Sequence, residues 1–105
     1  MGSFYEGCVA QKLKKDNAEW VRQVYLQIGQ NVKKYRKEKG LSQVSLAHEL
    51  GHESVGVVST AEIGLNGKHF NIEHLAHIAR ILDVDVCCLL EGVNEICNPK
   101  SQPKK

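Results

Sequence analysis

With 105 residues, 42% of them hydrophobic and 25% charged, the chain has the size and composition of one ordinary soluble globular domain. Its longest clear apolar run, Val86 to Leu90, is far too short to span a bilayer. The N-terminal stretch has no long apolar core followed by a small-residue cleavage site, and Glu6 stands where a myristoylation motif has Ser or Thr, so an intracellular protein is expected. The net charge of +2 hides an asymmetry: five of the seven residues from Lys33 to Lys39 are basic. From Leu41 to Pro99, eight carboxylates face only Lys68 and Arg80, a formal −6. A nucleic-acid binder of this composition relies on one basic edge.

Residues 1–15 leave two readings open, a short amphipathic helix carrying Val9 and Leu13 or no ordered structure. Asp16 and Glu19 have capping-box spacing, and Val21, Val24, Tyr25, Ile28, Val32 and Tyr35 then recur at helical intervals. One long helix is expected over about 17–39, closed by Gly40 after Lys37 and Lys39. Ser42 caps a short second helix bearing Val44, Leu46, Ala47 and Leu50, which stops at Gly51. Val57, Val58, Ala61 and Leu65 mark a third apolar stripe, and Asn66-Gly67 marks a turn. Asn71 caps a fourth helix with Ile72, Leu75, Ile78, Ala79 and Leu82 on its face. Asp85 is expected to cap a short fifth helix through Leu90. The domain is thus expected to span 16–92, with an arm at 1–15 and a mobile tail at 93–105. No alternating strand pattern competes, so the class is all-α.

Two short helices joined through glycine form a helix-turn-helix arrangement. The stretches IGQNVKKYRKEKGLSQVSLAHELG, AEIGLNG and IEHLAHIARILDVDVCCLL resemble the Xre/Cro-type family of phage repressors, restriction-modification controllers and antitoxins. The resemblance covers about residues 26–91. It rests most on Arg36-x-x-x-Gly40-Leu-Ser-Gln43-x-x-Leu-Ala47-x-x-Leu-Gly51. It implies a five-helix, lambda-repressor-like domain with an extended first helix, binding double-stranded operator-like palindromes as a homodimer. It also implies a cytoplasmic location of the bacterial or phage nucleoid-associated kind. Gln43, beside Ser42 at the start of the second helix, matches a phosphate contact of the family. Arg36 and Glu62 match an internal salt bridge. Lys68 stands where relatives often place another phosphate contact, and Lys33, Lys34 and Lys37 would supply the basic rim.

The chain also departs from the family. Glu62 lies eleven residues after Gly51, where ten is usual, which leaves a one-residue ambiguity in the groove-facing set. The groove candidates are Ser54, Val55, Gly56, Ser59 and Thr60, with none of the Arg, Lys, Asn or Gln that read bases bidentately. Hydroxyls and methyls can still meet phosphates, base edges and the thymine methyl group. Modest intrinsic specificity per monomer follows, with dimer spacing and DNA shape adding selectivity.

The histidines at 48, 52, 74 and 77 have spacings that place ligands on one helical face, which a metal site with Cys87 or Cys88 would need. Surface or groove-edge histidines are the expectation, with no metal and no cofactor, and His69 beside Lys68 can approach phosphate. The four cysteines show no C-x-x-C pair and are expected as reduced thiols. Cys87 and Cys88 sit in the first turn of the fifth helix, where dimer contact is expected over redox sensing. Trp20, Val21 and Val24 either pack on the domain or form a surface for a protein partner. No catalytic set accompanies a cleft, so the expectation is a DNA-binding transcriptional regulator and not an enzyme. The alternative is an interaction module of the same fold, an adaptor or antitoxin-like protein that binds a partner through the N-terminal helix.

Overall fold

The computed structural model describes residues 2–51 and 55–98, with side chains described from Glu19 onward. Five α-helices appear in the order α1 (Gly2–Glu38), α2 (Gln43–Glu49), α3 (Gly56–Ile63), α4 (Ile72–Leu82) and α5 (Val93–Cys97), and no strand occurs among the described residues. Short 3₁₀ segments cover Leu65–Gly67 and Val86–Leu90. No described helix is long and apolar enough to cross a membrane.

The first helix begins at Gly2 and not near residue 17. Asp16 and Glu19 therefore lie inside it and do not open it. Nothing between residues 2 and 38 breaks a helix, since the stretch contains no proline. At about 1.5 Å per residue such a helix is roughly 55 Å long. It ends where Gly40 adopts φ +82°, and Leu41 N–H donates back to the Arg36 carbonyl at 3.0 Å.

Side-chain caps set the starts of α2 and α4. Ser42 Oγ accepts from Ser45 N–H at 3.0 Å and opens α2. Asn71 Oδ1 accepts from His74 N–H at 2.7 Å, while His74 Nδ1 accepts from Asn71 N–H at 3.2 Å. That reciprocal box gives His74 a structural task at the front of α4. Asp85 caps nothing with its side chain, and Val86–Leu90 is a 3₁₀ segment where a short fifth helix was expected. Val93–Cys97 forms α5, within the stretch expected to be tail, and packs on α1.

One core joins these pieces. Ile28 and Val32 of α1 meet Leu46 and Ala47 of α2, Val58 and Ala61 of α3, and Leu75, Ile78, Ala79 and Leu82 of α4. Leu89 and Phe70 complete it from the connecting segments. A polar seam closes the C-terminal side: buried Asn31 donates to the carbonyls of Leu89 at 2.9 Å and Glu91 at 2.8 Å. Gln27 in turn donates to Asn31 Oδ1 at 3.0 Å. These bonds satisfy carbonyls that a short 3₁₀ segment cannot pair internally.

Candidate DNA-binding interface

The position of α3 is set at its rear end. Arg36 and Glu62 are both buried, at 5% and 2% exposure. Arg36 Nε donates to Glu62 Oε2 at 2.7 Å and Nη2 donates to Oε1 at 3.1 Å, a two-pronged pair. The third nitrogen, Nη1, donates to the Leu41 carbonyl at 2.8 Å. Gln43 Nε2 donates to Glu62 Oε1 at 2.9 Å, so one carboxylate ties together α1, α2 and α3. Burying charge is costly unless each group is paired, and here every buried side-chain nitrogen and oxygen among the described residues has a partner. An amide carries two hydrogens. The bond to Glu62 therefore orients Gln43 without consuming both, and Gln43 stays partly exposed beside exposed Ser42.

Gly29 completes the anchor. A Cβ there would lie 2.5 Å from the Glu62 carbonyl oxygen and 2.8 Å from that of Ala61. Only glycine lets α1 and the rear of α3 approach so closely.

The front of α3 is built differently. Val55 precedes it with no side-chain cap and is 37% exposed. Val58, Ala61 and Glu62 face inward, while Gly56, Ser59 and Thr60 are half-buried at the edge. Thr60 Oγ1 donates to the Gly56 carbonyl at 2.5 Å, and Ser59 Oγ donates to the same carbonyl at 3.3 Å. A hydroxyl has one hydrogen, so while these bonds hold each side chain is left with acceptor capacity alone. Ser54 lies outside the described residues.

Gly56, Thr60, Lys68 and His69 are brought together around one cavity of about 460 Å³, with Val57 and His74 also in its wall. Asn66 at φ 56° and Gly67 at φ 74° turn the chain sharply after α3, which carries Lys68 and His69 back beside it. His69 does not stand alone: its ring stacks on Tyr25 of α1, with centroids 3.8 Å apart and planes 9° apart. Periodicity shows only that Tyr25 recurs at helical intervals along α1, and a ring contact between residues so far apart leaves no local signal. Lys37 is exposed at the end of α1. Lys34 is less available as a rim charge, since its Nζ lies 3.7 Å from Glu91 and 5.0 Å over the Tyr35 ring. Of the upstream stripe, Val24 packs against the core and Val21 is half-buried, while Trp20 is 37% exposed.

Two short helices crossing at a glycine turn, the second held by a buried ion pair with an open outer edge, define a helix-turn-helix DNA-binding unit. The helix-turn-helix family model matches residues 32–87, more than half of the chain. The protein belongs to the Xre/Cro-type helix-turn-helix family of DNA-binding regulatory domains. Comparison with curated proteins and with solved structures returned no match.

Proposed function

We propose that this protein is a sequence-specific transcriptional regulator that binds DNA as a homodimer, with α3 in the major groove. The observation that carries this reading is the division of α3 into an anchored inner face and an open edge formed by Val55, Gly56, Ser59 and Thr60. Ser42, Gln43, Lys37, Lys68 and His69 are the phosphate-facing set. Because the hydrogens of Ser59 and Thr60 point back to the Gly56 carbonyl, the reading edge offers methyl groups and acceptors. Its natural matches are the thymine methyl and the amino hydrogens of adenine and cytosine. Exposed Val86 and Leu90, flanking Cys87 and Cys88, supply an apolar face for the second copy. The regulator is an intracellular protein whose α1 begins at Gly2 and whose α5, Val93–Cys97, packs on α1.

Selection of bound duplexes from a random pool tests this directly. The expected result is enrichment of a two-fold symmetric site, with binding that weakens linearly in log salt by about 0.9 per phosphate contact. Gln43→Ala should weaken all sites alike. A pool that returns no enriched sequence would sink the reading.

A second reading is supported by exposed Trp20 on the upstream part of α1. In it the same fold is an interaction module, and α1 captures a protein partner. That module would enrich no DNA and would lose its partner in Trp20→Ala.

A further inference from the structure

A second cavity lies on the other side of the Lys68–His69 dipeptide. It has a volume of about 340 Å³ and is walled by α1 and the turn after α3, including Val21, Leu26, Gly64 and Gly67. That volume falls in the range of sites for small organic ligands, roughly 300–1,000 Å³. Its walls are mostly apolar. Among the described residues, its only charged lining groups are Arg22 and Lys68, both exposed, and neither pairs there with a carboxylate. Tyr25 and His69 also line it, as a nearly parallel aromatic stack.

These features select a chemical class. Two unpaired cations at an apolar pocket favour a monoanion with a hydrophobic body, since a free phosphate would leave the apolar walls uncovered. The aromatic wall that the two rings form favours a flat aromatic body. We propose that this pocket binds a small aromatic carboxylate, with its ring against Tyr25 and His69 and its carboxylate paired with Arg22 and Lys68. Resting on the DNA-binding reading above, a second consequence follows. Lys68 also lines the cavity beside Gly56 and Thr60, so a carboxylate held there competes with a DNA phosphate for the same ammonium. The ligand would lower DNA affinity without any change of fold.

The test uses the full chain without DNA and 2-naphthoate as the probe. In a ¹H–¹⁵N NMR titration, saturable shifts should map to Arg22, Leu26, Gly64, Gly67 and Lys68. A probe of this size should bind with Kd on the order of 0.1–1 mM. The neutral analogue 2-naphthalenemethanol and the variant Arg22→Gln should each bind about tenfold more weakly. Shifts that fail to saturate, that map elsewhere, or that are equal for the neutral analogue overturn the proposal. Because binding is read on the free protein, loss of the DNA-binding reading would leave this result intact. On a DNA site recovered by selection, saturating 2-naphthoate should weaken the wild-type complex and leave Lys68→Gln unaffected. Equal weakening of both overturns the competition.

Discussion

A Cβ on Gly29 would fall 2.5 Å from the carbonyl oxygen of Glu62, so α1 touches the backbone of α3 at the point where the buried carboxylate is held. In an exposed helix, Gly→Ala is stabilising by about 1 kcal/mol. At Gly29 the sign reverses, because the clash is with backbone that cannot rotate away. Gly29→Ala should destabilise by about 1–3 kcal/mol in chemical denaturation. A gain in stability would show that α1 and α3 sit farther apart.

The ion pair between Arg36 and Glu62 is expected to behave as a unit. Arg36→Met alone leaves the Glu62 carboxylate buried with only Gln43 as partner, and should cost about 3–5 kcal/mol. The double variant Arg36→Met with Glu62→Leu should recover a large part of that loss, since neither charge then remains buried. Urea midpoints of the two single variants and the double variant provide the comparison. Additive losses would contradict the coupling.

Thr60 separates methyl from hydroxyl readout. Thr60→Val keeps the methyl and removes a hydroxyl bonded to its own helix, so it should preserve any preference for thymine. Thr60→Ser does the reverse and should flatten that preference at one base pair, by about 1 kcal/mol or more. Selection with each variant reads this out, and a preference lost in Val but kept in Ser would reverse the assignment.

Tyr35 predicts a late alkaline transition. Its hydroxyl donates to Glu91 Oε2 at 2.8 Å, and that bond, followed by desolvation and the Glu91 charge, pushes the phenol well above its ordinary 10.0. A pKa raised in the folded state means the associated stability is fully present below the ordinary phenol value and declines as pH climbs through the folded one. In an absorbance titration the Tyr35 phenol should therefore ionise above its ordinary value. Tyr35→Phe should remove that step and reduce the pH dependence of unfolding above about pH 10.

Local chemistry explains which parts of the fold were readable. The caps at Ser42 and Asn71 and the stop at Gly40 are short-range signals, but the apolar period overreaches at the starts of α2 and α4, where Val44 and Ile72 are exposed at 64% and 78%. Asp16 and Glu19 have cap spacing inside a helix, so they mimic a start that α1 makes at Gly2. The 3₁₀ geometry at Val86–Leu90 also leaves no periodic trace in five residues. Asn31 sits on the buried face of α1 because its partners, Leu89 and Glu91, come from about sixty residues away. No period reveals such a match, and the Tyr25–His69 stack is hidden for the same reason. At the interface, residue types suggested hydroxyl contacts, but only geometry tells that Ser59 and Thr60 turn their hydrogens inward.

The eight residues of α3 keep anchorage and exposure on different faces, with Val58, Ala61 and Glu62 buried and Ile63 exposed. Glu62 and the Gly29 contact hold the inner face, whereas Val55 is exposed and Gly56, Ser59 and Thr60 are half-buried and lie outside the core cluster. Substitutions at 55, 59 and 60 therefore draw on almost none of the stabilising interactions. Target preference in this protein can diverge, in evolution or by design, while the scaffold beneath it stays constant.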